Sequence, residues 1–151
     1  MDIVGLPKRV AKVFLRLDDH YVFSQKRAPW LPEDAAARQL ELIGGTVVGG
    51  ETPFEALIRE LGEEETSGTL AEKARALRPA PQQIVVYGEP HYIYRMQITG
   101  DEFERLVHDS EESYGFDLVP EAVIADREKL RENAARFTWK TQGIFQALGL
   151  M

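Results

Sequence analysis

Apolar residues along this chain gather in short runs bounded by Gly, Pro and Asp, the pattern of strands joined by turns, with stretches of helical period between them. Residues 9–17, rich in Val, Phe and Leu, predict a strand, Asp18-Asp19-His20 a turn, and residues 21–25 a returning strand, so that the two form a hairpin. Residues 26–38 hold Pro29 and Pro32 and read as a loop; residues 40–43 read as a short strand running into Gly44-Gly45. The clearest helix follows. Thr52 stands as its N-cap, Pro53 suits its first turn, and Glu55 falls where a capping box needs it. Gly68, after Thr66 and Ser67, marks its stop. Phe54, Leu57, Ile58 and Leu61 recur at i, i+3, i+4 and i+7, the stripe that faces a core. Downstream, residues 70–77 predict a short helix, and 83–87 and 92–98 two strands joined through Gly88-Glu89-Pro90. Residues 101–107 predict a short helix, 114–119 a strand, and 126–148 a helical region interrupted near Phe137-Thr138. Strands and helices do not alternate regularly, which predicts an α+β protein: a mixed sheet with helices on its faces, in one domain over residues 1–151.

Composition narrows the function. The 151 residues are 44% hydrophobic and 28% charged, ordinary for a globular protein. No run of about 18 apolar residues predicts a membrane span. Lys8, Arg9, Lys12 and Arg16 interrupt the apolar residues near the start, which does not read as a signal peptide, and the expected location is the cytoplasm. With a net charge of −7, the chain lacks the basic footprint of a nucleic-acid binder. An acidic protein handling anionic substrates needs local help, such as bound metal cations. The absence of cysteine excludes nucleophilic cysteine chemistry.

The chemistry concentrates in the capped helix. At about 100° per residue, Glu60, Glu63 and Glu64 fall in a sector beside the apolar stripe, with Ala56 among them leaving room for a ligand to approach. Glu60 and Glu64 are like charges at i, i+4, destabilising by a few tenths of a kcal/mol, and Arg59 is the one basic partner in the helix. The face is either solvated surface or a cation site. Mg²⁺ favours carboxylate oxygens and keeps waters that phosphate can replace.

Gly45, Glu51, Arg59, Glu60, Leu61, Glu63 and Glu64 fall in register on the signature of the Nudix hydrolase family, which this stretch resembles. Thr66 and Ser67 stand where that signature has Gly and an aliphatic residue, which predicts a different helix exit and pocket floor. Leu40-Glu41-Leu42-Ile43-Gly44-Gly45 is similar to the family's lead-in, with Ile43 where proline is common. The resemblance implies an α/β/α sandwich around a mixed β-sheet, holding Mg²⁺ or Mn²⁺, that hydrolyses the pyrophosphate linkage of a nucleoside diphosphate derivative or similar small diphosphate. It implies Glu60, Glu63 and Glu64 as metal ligands together with the Gly45 carbonyl. Arg59 would brace the glutamates and Glu51 shape the loop. Homodimerisation is expected on the same ground. The rival reading is a Nudix-fold nucleotide-binding or sensor module with little catalysis. A water-activating base is expected outside the helix, with Glu112 first and Glu111 second; a cation-activated water that needs no strong base is the alternative.

Other candidates stay open. Arg27 either touches a substrate phosphate or is an exposed arginine. Trp30, Tyr114, Phe116 and Trp139 are either base-stacking residues or core and dimer contacts, the latter being the commoner case. His20, His91 and His108 share no spacing and read as surface or turn residues. Gly44-Gly45 and Gly49-Gly50 lack the Lys-Ser/Thr ending of a phosphate loop and read as turn-makers.

Overall fold

In β1 (Val10–Leu17), Ala11, Val13, Leu15 and Leu17 face one layer while Phe14 faces the other. The chain turns at Asp18-Asp19, and β2 (His20–Lys26) returns antiparallel, with Leu15 opposite Val22. The computed structural model describes residues 8–26, 38–109 and 113–151. The predicted strand at 40–43 resolves into two. β3 (Gln39–Glu41) pairs with the far end of β2, Ser24 opposite Glu41, and β4 (Ile43–Thr46) pairs with the start of β1, Ala11 opposite Gly45. One segment thus serves two strands, and the sheet forks where it changes partner at the buried Leu42.

β6 (Glu89–Ile98) runs parallel to β1 along its length, and β5 (Gln82–Val86) edges it antiparallel. Tyr87 and Gly88, both at positive φ, make the two-residue turn between them. β7 (Ser113–Pro120) pairs antiparallel with β2. The sheet is mixed, as predicted. α1 (Pro53–Glu64) and α2 (Thr69–Leu77) cover one face, where Leu57, Leu61, Leu70 and Ala74 pack on Val13, Leu15, Ile43 and Tyr94; Phe103 of α3 (Gly100–Glu104) packs against this layer. The other face carries α4 (Glu121–Ala125), α5 (Arg127–Glu132), a 3-10 turn (Ala134–Arg136) and α6 (Trp139–Ala147), with Phe14, Phe23, Phe137 and Phe145 at its centre. This is an α/β/α sandwich. No helix among the described residues is long and apolar enough to cross a membrane.

Four expectations change. The capping box of α1 forms, with Glu55 N–H donating to Thr52 Oγ1 at 3.1 Å and Thr52 N–H to Glu55 Oε1 at 2.9 Å, but the helix stops at Glu64 rather than at Gly68. The Glu65 carboxylate draws the backbone out of the helix by accepting N–H groups of Ser67, Leu70 and Val107; Gly68 instead begins α2. Ala56 is fully buried and packs in the core, so it leaves no open approach. Gly44-Gly45 lie in β4, not in a turn: a Cβ on Gly44, at φ 134, would strike the Ala11 carbonyl of the adjacent strand. Finally, α4 has no counterpart in the sequence reading.

Candidate active site

The fork in the sheet places two consecutive glycines against the glutamates of α1. Gly44 N–H donates to Glu64 Oε2 at 2.8 Å. Gly45 admits Glu60, whose carboxylate carbon would lie 2.5 Å from a Cβ there. Gly44 is bare because the β1 backbone lies where its Cβ would stand, and Gly45 because the Glu60 carboxylate does; Glu60 and Glu64 are thereby seated side by side on β4. Glu63 lies at the rim, its side chain 51% exposed.

Arg59 ties this helix to its approach loop. Its guanidinium donates to both oxygens of Glu51 at 2.9 and 3.1 Å, to Glu60 Oε1 at 3.0 Å, to Glu63 Oε2 at 3.3 Å and to the Thr46 carbonyl at 2.9 Å. The bond from Arg59 holds the Glu51 carboxyl below its ordinary range, and the same bond raises the proton affinity of Arg59. Glu60 goes the other way. Burial pushes its pKa up, Arg59 opposes that, and the negative charges of Glu64 and Glu63 add to it. Its charge is undercompensated, which is the condition a cation relieves.

The partners that the sequence reading missed come from the strands. Glu64 is almost fully buried, and Lys26 Nζ stands 3.0 Å from its Oε1. Lys26 also lies 3.9 Å from Glu41 Oε2. Lys12, itself buried, stands 3.3 Å from Glu41 Oε1 and donates to the carbonyls of Leu42 and Gly44 at 3.2 and 3.1 Å. Lys12, Glu41, Lys26 and Glu64 thus form an alternating chain of charge through the fork. An inward lysine on a strand of otherwise apolar alternation was the available signal, and Lys12 gave it.

The carboxylate oxygens of Glu60 and Glu64 suit a hard divalent cation in donor type. Even with Lys12, Lys26 and Arg59 opposite, the carboxylates of Glu41, Glu51, Glu60, Glu63 and Glu64 leave the cluster negative. The residues present therefore fit Mg²⁺ or Mn²⁺ in chemistry. Among the described residues no group of three or more His, Asp or Glu side chains already converges as a metal site. Arg27, Trp30, Glu111 and Glu112 lie outside the described residues, as does the side chain of Tyr114.

Beside the fork opens a cavity of about 350 Å³. Lys12, Glu41 and His91 line its buried side and Thr46, Tyr87, Trp139 and Lys140 its exposed side, with Gly45 between them. His91, read from the sequence as a surface residue, is 5% exposed in β6, because β1 and β5 flank it on both sides. Burial lowers its pKa, and its Nδ1 lies 2.9 Å from the Glu89 carbonyl. Trp139 is 62% exposed, which removes it from the core, whereas Phe116 packs against the α1 layer. His20 opens β2 with its ring against Asp19, and His108 sits edge-on to Phe116.

A mixed sheet between two helical layers is the fold of the Nudix hydrolases, and solved structures of that family share it with this chain. A bifunctional NMN adenylyltransferase/ADP ribose pyrophosphatase from Francisella tularensis, complexed with AMP and a manganese ion, superposes at a TM-score of 0.67 with 15% identity. It is matched over 95% of this chain, which spans 41% of that protein's length. A NUDIX-family hydrolase from Clostridium perfringens gives 0.53 and 18%, over 97% of this chain and 99% of the other. The MutT protein from Methanosarcina mazei Go1 gives 0.59 and 14%, over 96% and 94%. No family model and no curated protein matches the sequence.

Proposed function

We propose that this protein is a metal-dependent pyrophosphohydrolase that cleaves the pyrophosphate linkage of a nucleoside diphosphate derivative or similar small diphosphate. The observation that carries the reading is the seating of Glu60 and Glu64 on Gly45 and Gly44, with undercompensated charge at Glu60. The manganese and AMP of the Francisella protein are consistent with it.

Glu60 and Glu64 would hold Mg²⁺ or Mn²⁺ with the Gly45 carbonyl, and Glu63 would join from the rim. The cation would neutralise the diphosphate and lower the barrier to attack by water. Arg59 fixes the glutamates from behind, through Glu51 and the Thr46 carbonyl, so that they need not reorganise as charge develops. Water attacks a phosphorus, the bridging P–O bond breaks, and the leaving phosphate departs with the electron pair. The proton of the water passes to a carboxylate outside the helix, for which Glu112 and then Glu111 remain the candidates.

The second reading, a binding module with little catalysis, draws on the Lys26–Glu64 pair, which places an ammonium on a metal-ligand oxygen. Turnover of a panel of nucleoside and non-nucleoside diphosphates with Mg²⁺, beside Glu64→Gln, separates the two. The enzyme reading expects hydrolysis that the substitution cuts on the order of 10³-fold or more. Nucleotide binding without turnover on any member of the panel favours the module.

A further inference from the structure

Two large aromatic side chains stand exposed side by side at the outer wall of the cavity: Tyr87 at 60% and Trp139 at 62%, with ring centroids 5.3 Å apart and a tilt of 38°. Exposed rings of this size are held in place here by several local devices. Tyr87 occupies the turn between β5 and β6 at φ 50, a conformation uncommon for a residue with a side chain. Its ring lies against the bare backbone of Gly143 in α6, where a Cβ would approach the ring to 2.6 Å and Val86 to 2.8 Å. Its hydroxyl reaches the Trp139 carbonyl at 3.5 Å. Trp139 opens α6 directly after the capping Thr138, whose hydroxyl accepts the Thr141 N–H at 3.3 Å. Lys140 Nζ lies 5.8 Å from the indole centroid. The wall is thus built from a turn, a helix start and a glycine slot, while the inner side of the same helix, through Ile144 and Phe145, closes the core behind it.

We propose that this wall is a base-binding subsite, on which the rings of Tyr87 and Trp139 receive the planar base of a nucleotide whose phosphates run past Thr46 toward Gly45 and Glu60. The inference rests on the pyrophosphohydrolase reading and deepens it, selecting nucleosides over other small diphosphates. The cavity volume of about 350 Å³ suits a small ligand and lies at the low end for such sites. Lys8 and Lys140 on the lining favour an anion, and an aromatic wall gives a base stacking that an aliphatic tail cannot return. The floor supplies polar recognition. With Nδ1–H of His91 donating to the Glu89 carbonyl, Nε2 is left as an acceptor, and the carboxylate of Glu41 adds another. The same cavity reaches Thr46 and Gly45, and the Glu60 carboxylate is seated against Gly45.

The test reads binding in chelator, without turnover. Calorimetric titration with AMP, GMP, CMP and UMP, beside ribose 5-phosphate, is paired with tryptophan emission. At least one nucleotide should bind saturably and change the emission, while ribose 5-phosphate at the same concentrations does neither. The other tryptophan is Trp30, so Trp30→Phe should keep the emission change, whereas Trp139→Phe keeps a ring and should retain calorimetric binding but lose that change. Trp139→Ala and Tyr87→Ala should each weaken binding about tenfold, the size of a stacked base. Melting curves confirm that each variant is folded, and Trp139→Phe locates the base even if both alanine variants fail that check. No response to any nucleotide, equal response to ribose 5-phosphate, or an emission change retained in Trp139→Phe overturns the subsite. A nucleotide response in a chain that hydrolyses nothing with Mg²⁺ supports the subsite while removing the enzyme reading.

Discussion

Replacing Lys26 with methionine keeps the aliphatic stem and removes the ammonium that stands 3.0 Å from Glu64 Oε1. Glu64 has a side chain only 2% exposed, so its charge would be left in a poorly solvated place. Removing one partner of a buried pair costs about 3–5 kcal/mol. Two features reduce that here. Lys26 itself is 28% exposed, so water already screens the pair, and Glu64 keeps the N–H bond from Gly44. Glu41, the second carboxylate near Lys26, keeps Lys12. We expect a loss of about 2 kcal/mol in the presence of chelator. The loss should be read by urea denaturation as a lower midpoint with an unchanged slope. Mn²⁺ then decides what the position is for. A cation bound through Glu64 supplies the charge that the ammonium supplied, and ligand at about 100 times its Kd stabilises by about 2.7 kcal/mol. The variant should gain more from Mn²⁺ than the wild-type chain, which must first part Lys26 from Glu64, and the deficit should shrink or vanish. Combining the substitution with Glu64→Gln in chelator should cost less than Lys26→Met alone, since no buried charge is then left unpaired. A deficit of equal size with and without Mn²⁺ would show that the metal does not use this oxygen. No deficit in chelator would show that the ion pair carries no stability.

The two glycines should separate folding from function. Gly44→Ala drives a Cβ into the Ala11 backbone at a positive φ and should prevent stable folding, whereas Gly45→Ala meets only the movable end of Glu60 and should fold with a small change in midpoint but lose most turnover. Equal damage to stability from both, followed by thermal denaturation, would show that Gly45 is structural. Glu60 and Glu65 should respond to pH with opposite sign. For Glu65, burial alone would raise the pKa, but hydrogen bonds from Ser67, Val107 and Leu70 bring it below the ordinary value. Its contribution is therefore present above the unfolded carboxylate range and lost as pH falls through the folded pKa, so Glu65→Gln should destabilise by about 1.5–3 kcal/mol near neutral pH and progressively less in acid. Glu60 has a raised pKa, chiefly from burial, so its charge burdens the metal-free fold above the unfolded range. Glu60→Gln in chelator should match or exceed wild-type stability near neutral pH, converge on it in acid, and bind Mn²⁺ more weakly; a neutral-pH midpoint below wild type in chelator refutes that accounting.

The parts of this site that were legible in the sequence are those written at short separation. Thr52 and Glu55 cap α1 across three residues, and Arg59 reaches Glu63 across four, so helix geometry alone places them. The short α4 escaped because its five residues are too few to show a helical period, although Pro120 and Glu121 mark its start. The glutamates were placed on the right sector of α1 but in the wrong medium. A helical wheel fixes angles; it does not say how far the neighbouring strand extends. Here β4 reaches past the apolar stripe and covers Glu64 while leaving Glu63 exposed. Lys12 stood out as a lysine within an apolar strand, but which carboxylates the lysines pair with was illegible for the same reason. Lys26 is 38 residues from Glu64 and Lys12 is 29 from Glu41, and only the forked sheet brings them together. Glycine misled in a specific way: it signals turns most often because it adopts positive φ, yet Gly44 uses that φ inside a strand to let the backbones of β4 and β1 meet. The helix therefore identifies which carboxylates gather, while the fork determines which of them already has a cation. Glu64 has Lys26, and Glu60 shares Arg59 with Glu51 and Glu63. An incoming divalent ion would thus meet a half-buried, undercompensated carboxylate at Glu60, and Glu64 would become available to it only as Lys26 gives way.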